Sequence, residues 1–116
     1  MLYRGALFRK SLAYARQLKP QGIYILSAKH GLLELEQEID PYERTLKRMN
    51  KEEVKIWAKD VLRRLENRAN LTEDQFVLLA GIAYHRHLRP YLSHFVAPME
   101  GLSFGRQLKF LNQQLQ

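Results

Sequence analysis

The chain has 116 residues, 46% of them hydrophobic, a formal net charge of +7 and no cysteine. That length suits one domain with an ordinary core, and the missing cysteines exclude disulfides, thiolate metal sites and cysteine nucleophiles. No apolar run approaches the ~20 residues of a bilayer-spanning helix, and the basic N-terminus lacks the continuous apolar centre and cleavage site of a signal peptide, so a single cytoplasmic domain over residues 1–116, with no membrane partner, is expected.

Residues 2 to 18 carry Tyr3, Leu7, Phe8, Leu12, Ala15 and Leu18 at helical spacing, which predicts an amphipathic helix that Lys19-Pro20-Gln21-Gly22 stops. Ile23 to Leu26 is a short apolar run between Gly22 and Ser27, the length of a buried strand. Residues 27 to 49 read as a long connection with Gly31 and an Asp40-Pro41-Tyr42 turn, in which proline sets φ and aspartate bonds the following backbone. Asn50 and Glu53 then form a variant of the capping box. The helix that follows buries Val54, Trp57, Ala58, Val61, Leu62 and Leu65, while Lys51, Lys55, Lys59 and Arg63 repeat every four residues along another face. Phe76 to Ala80 is the second strand, ended by Gly81. A helical pattern through Tyr84, Leu88, Tyr91 and Leu92 is divided by Pro90. Phe95 to Ala97 is a short third strand, and Ser103 caps a last helix through Phe104, Leu108, Leu111 and Leu115.

This alternation predicts an α/β fold, a small parallel or mixed sheet of few strands covered by helices. Two strong strands are few for such a sheet. The expectation is therefore a hidden strand, a partner chain that completes the sheet, or an N-terminal strand lost from this chain.

Ligands of open parallel sheets bind beyond the carboxyl ends of the strands. If the first two strands are parallel neighbours, Ser27, Lys29, His30 and Gly31 share a rim with Gly81, Tyr84, His85 and Arg86. Glycines there let backbone amides approach a ligand, and lysine or arginine supplies charge for a phosphate. His30 is the candidate general acid or base. Tyr42 and Tyr84 are candidates to stack on a base, and Arg44 and Arg106 are further cations. Each of these residue types also has a plain structural use: strand-end cap for Ser27, turn geometry for the glycines, half-buried packing for the tyrosines. SAKHG lacks the paired glycines and Lys-Ser/Thr ending of a P-loop, and GIAYHRH is no dinucleotide fingerprint, so no cofactor is expected. His85 and His87 lie two apart and point to different helix faces, so no metal is expected either.

The charge is uneven. Residues 1 to 20 hold Arg4, Arg9, Lys10, Arg16 and Lys19 and no acid, residues 34 to 40 hold four acids, and residues 41 to 68 carry nine bases against five acids. Positive charge of this kind favours polyanions, nucleic acid first among them, though a solvated basic surface accounts for the same count.

Taken together, "ILSAKHGLLELEQEIDPYERTL", "PMEGLSFGRQLKFL", "LYRGALFRKSLAYA" and "VLLAGIAYHRHLRPYL" resemble, in order along nearly the whole chain, segments of the peroxide-stress YaaA-like family and its small relatives. The resemblance implies an α/β fold and, for the stress-response members, DNA binding. It carries family motif positions onto Ser27, Gly31, Pro41, Tyr42, Gly81, Tyr84, Gly101 and Gly105, and implies an additional strand ahead of the first helix. Lys29 and His30 are less regular in that family, so their candidacy rests on local chemistry. The expected function is binding of nucleic acid or a nucleotide, with phosphate near Ser27–Gly31, Gly81 and Gly105 and with Lys51, Lys55, Lys59 and Arg63 as a non-specific backbone contact. The alternatives are an enzyme acting on a nucleobase or nucleoside and a structural module that forms a homodimer by sheet completion.

Overall fold

A computed structural model describes residues 5–35 and 46–116. Tyr3, the Asp40-Pro41-Tyr42 turn, Arg44 and most of the acidic run lie outside the described residues. The architecture is mixed α/β. In chain order it comprises helix α1 (Ala6–Gln17), strands β1 (Tyr24–Ser27) and β2 (Gly31–Glu34), a 3-10 turn at Leu46–Arg48 and helix α2 (Lys51–Glu66). Strand β3 (Gln75–Val77), the one-turn helix α3 (Ile82–His85), a second 3-10 turn at Arg89–Tyr91, strand β4 (His94–Val96) and helix α4 (Phe104–Gln114) follow.

Local chemistry explains most boundaries. Asn50 Oδ1 accepts from the Glu53 amide at 2.9 Å while Glu53 Oε1 accepts from the Asn50 amide at 3.2 Å. This reciprocal box satisfies two of the donors a helix start leaves open. Ser103 caps α4 through the Arg106 amide at 3.3 Å. Helix α1 ends at Leu18, and Lys19 turns the chain out with a φ of 52° ahead of Pro20. Pro90 divides the third helical pattern as expected, leaving one turn of α-helix and one of 3-10 helix.

The strands do not pair as the sequence suggests. β1 and β2 form an antiparallel hairpin in which Tyr24 faces Glu34 and Ser27 faces Gly31. β3 pairs in parallel with β4, Gln75 opposite His94 and Val77 opposite Val96. These are two separate two-stranded sheets. The expected parallel neighbourhood of the first two apolar runs is therefore absent, and the stretch after Ser27 is a strand return, with Leu32 and Leu33 folded back on Leu26 and Ile25. The physical reason is the three-residue turn. Gly31 adopts a φ of 78°, a left-handed conformation that L side chains resist, and this reverses the chain at once.

One core spans both sheets. Ala28, Leu32, Leu46, Trp57, Val61, Leu62, Leu65, Leu88 and Leu92 are buried together, with Tyr24 and Leu26 of the hairpin and Phe76 and Phe95 of the parallel pair packed on them. Helix α2 supplies Trp57, Val61, Leu62 and Leu65 to this core and packs directly on β2. Leu33 points from the opposite side of the hairpin and is also buried, so both hairpin faces are covered. Helix α1 departs from the expected buried face, because none of its described residues is fully buried. It lies against α4, with Tyr14 edge-on to Phe110, Lys10 bonded to Asn112 and Gln17 bonded to the Gln114 carbonyl.

Candidate functional site

The turn between β1 and β2 gathers more of the predicted residues than any other described place. Ser27 closes β1 fully buried, and its Oγ accepts from the His30 amide at 3.0 Å. Its carbonyl accepts from the Trp57 indole at 2.8 Å. The side of that indole meets Tyr84 edge-on, ring centroids 5.9 Å apart. The segments that follow β1 and β3 thus do converge, across Trp57 of α2 and without sharing a sheet edge.

Helix α2 also clamps the turn from below. Arg64 donates to the His30 carbonyl at 2.9 Å, and its Nε reaches Asp60 Oδ2 at 3.1 Å. Asp60 in turn holds Arg63 at 2.8 Å. Gly31 is wedged against this pair, so that a Cβ added there would stand 2.9 Å from Asp60 Oδ2. Lys29 is exposed at the tip. His30 is half-buried, and its Nε2 is enclosed with no hydrogen-bond partner among the described residues. A substrate cannot reach that nitrogen unless the turn opens, which bears directly on the expected acid-base role.

The other candidates are dispersed. Gly81 is the exposed N-cap of α3 at an ordinary φ of −61°, and nothing lies near its missing side chain. The special backbone geometry expected of Gly81 is not used. Arg86 is exposed at the end of α3. Gly105 and Arg106 are exposed in the first turn of α4, whose helical partner is α1 and not α2. Tyr42 and Arg44 fall outside the described residues.

Lys51, Lys55, Lys59 and Arg63 are all exposed on α2, flanking the side that buries Trp57, Val61, Leu62 and Leu65. The row is partly neutralised: Lys55 stands 3.9 Å from Glu52, and Arg63 is bonded to Asp60. Lys51 and Lys59 are exposed and form no ion pair among the described residues.

Three residues central to this region were visible in the sequence only as something else. Trp57 reads as a core position, and nothing local shows that its N–H ties down the hairpin. Asp60 and Arg64 are spaced i,i+4, the one signal of their pairing. His85, which the sequence offers only as a polar rim residue spaced wrongly from His87 for a metal, is 2% exposed. Its pKa is lowered by burial first and by Arg89 second, with Glu100 acting in the opposite direction. His87 is also lowered, by burial and by Arg86. Apart from these sites, an open groove of about 830 Å³ runs beside the end of α2, lined among others by Glu66, Arg68, Asn70, Asp74 and Tyr91. None of the predicted site residues lines it.

Fold and surface together define a small basic α/β protein whose hairpin turn is pinned to a central helix. The chain belongs to DUF6884, a family of unknown function, whose model matches residues 1–113. No curated protein and no solved structure matches it. Among the described residues, no helix is long and apolar enough to cross a membrane.

Proposed function

We propose that the protein binds nucleic acid through the outer face of α2, with the Ser27–Gly31 turn and Tyr84 beside it as the place where a phosphate or base is held. The observation that carries this reading is the exposure of Lys51, Lys55, Lys59 and Arg63 on a helix whose other face is the core. A helix anchored in this way presents its charge in a fixed row, and the net charge of +7 raises the local concentration of any polyanion. The resemblance to the YaaA-like family, with its DNA-binding stress-response members, points the same way, as does the cytoplasmic setting expected from the sequence. Glu52 and Asp60 reduce the effective charge, so the contact is sequence-independent and weak.

The test is binding of a labelled duplex, and of a single strand of equal length, between 50 and 200 mM salt. If all four cations meet phosphates, affinity falls roughly a hundredfold over that range. Charge reversal of the row (Lys51→Glu, Lys55→Glu, Lys59→Glu, Arg63→Glu) should abolish binding while circular dichroism stays native. Retention of binding by that variant would remove α2 from the interface.

A second reading, dimerisation by sheet completion, is favoured by the β3–β4 pair. Parallel strands are normally covered on both faces, yet Val77 and Val96 face outwards at 38% and 48% exposure. Sedimentation of the wild type and of Val77→Lys/Val96→Lys separates the two readings, since a dimer built there is lost in the variant.

A further inference from the structure

We infer that residues 82–92 form a proton-operated latch, held shut on α2 by packing that accommodates only the neutral imidazole of His85 and released when that imidazole is protonated. The segment has little structure of its own. α3 is four residues long, followed by a 3-10 turn that starts at Arg89, and a helix so short has no independent stability in water. Packing holds it: Tyr84 against Trp57, and Leu88 and Leu92 buried in the core.

His85, next to Tyr84 on α3, is 2% exposed, with Nδ1 enclosed and without a hydrogen-bond partner among the described residues. A buried polar atom left unpaired is costly, and a charge there is costlier. The surroundings do not accept one. Arg89, on the 3-10 turn, is held in place by Glu100 at 2.6 Å and lies over the Phe95 ring at 4.9 Å. Its guanidinium opposes a second positive charge, whereas Glu100, on the turn after β4, favours one. The 3-10 turn before α2 also packs on α3, with Leu46 buried and Arg48 exposed. Arg86, next in the chain, faces solvent. The lowered pKa of His85, set by burial and then by Arg89, agrees with this arrangement.

The sign follows. Released, the imidazole takes up a proton near its ordinary value of about 6.5; latched, it does so only at lower pH. Between those two values each unit of acidification favours release by at most about tenfold. Release withdraws Tyr84 from Trp57, whose indole N–H holds the Ser27 carbonyl. The latch therefore links mild acidity to the packing around the tie between α2 and the hairpin, a property separate from the charge row on α2.

The experiment uses the full chain and its single tryptophan, Trp57. Emission and hydrogen exchange are followed from pH 8 to pH 5, with exchange corrected for the intrinsic pH dependence and referred to residues 54–65. The expected result is a red shift of the emission and a several-fold loss of protection confined to residues 82–92, both absent in His85→Leu. His30→Gln, His87→Gln and His94→Gln should keep the transition. Arg89→Gln should move it to lower pH and Glu100→Gln to higher pH. These opposite shifts distinguish the latch from mere loss of the Arg89–Glu100 pair, which would weaken the fold in both variants, and they serve if His85→Leu fails to fold. Unchanged emission and protection in the wild type at pH 5, or shifts of the same sign in both charge variants, would overturn the inference. DNA binding by α2 can fail without touching this outcome.

Discussion

The indole N–H of Trp57 donates to the carbonyl of Ser27 at 2.8 Å, tying the end of the first strand to the middle of α2. The two residues are thirty positions apart, and the bond is buried. It fixes where the hairpin turn sits relative to the basic helix and, through the edge contact with Tyr84, relative to α3.

Replacing the tryptophan by phenylalanine removes that donor and part of a core side chain. A buried hydrogen bond lost in this way, with the void added, should cost about 2–3 kcal/mol. Urea unfolding followed by circular dichroism checks it. A loss well below 1 kcal/mol would mean that the bond contributes little to anchoring the hairpin.

Gly31→Ala should be more damaging than its small size suggests. The left-handed φ alone costs an alanine roughly 1–2 kcal/mol, and its methyl group meets Asp60 Oδ2 at 2.9 Å. Asp60 cannot simply swing away, because Arg63 and Arg64 both hold it. Adding Asp60→Ala to Gly31→Ala should relieve the clash but not the backbone cost. Thermal melts of the single and double variants separate the two contributions.

Asn50→Ala removes the side-chain half of the capping box, leaving the backbone N–H of residue 50 on Glu53, and should lower stability by about 1 kcal/mol, whereas Asn50→Ser should restore most of it. Chemical denaturation at matched protein concentration provides the measurement. The helix affected is the one that carries the charge row, so under the proposed nucleic-acid binding the affinity at low salt should fall only slightly if the fold is intact.

The Arg68–Glu34 pair, 2.8 Å apart but 37% and 52% exposed, should matter little. Exposed ion pairs contribute about 0–1 kcal/mol and are screened by salt. Arg68→Gln and Glu34→Gln, alone and together, should give a coupling energy that vanishes in 1 M salt.

Stability should also depend on pH through the histidines. Both His85 and His87 have lowered pKa values in the fold. Their contribution is therefore intact above about pH 6.5, the unfolded value, and is lost as pH falls through the lower folded values. Denaturation midpoints between pH 8 and pH 5 should decline in the wild type, less in His85→Leu, where only His87 remains, and least in His85→Leu/His87→Gln.

Much of this protein was legible along the chain. The face of α2, its Asn50–Glu53 start, the break at Pro90, the Ser103 cap and the short strand near Phe95 are local properties, set by a period of 3.6, by side chains three residues apart, or by one missing amide hydrogen. The exposure of Lys51, Lys55, Lys59 and Arg63 follows from the same periodicity, because Trp57, Val61, Leu62 and Leu65 claim the other side. Strand partners are different. Ile25 and Leu26 look the same whether they lie beside β3 in parallel or fold back on Leu33 and Leu32. The choice belongs to the left-handed turn at Gly31 and to competition among distant segments for one helix face. For the same reason the tie between Trp57 and Ser27, and the burial of His85 beside Arg89, emerged only with the tertiary structure: no short-range pattern records which polar atoms a folded core brings together.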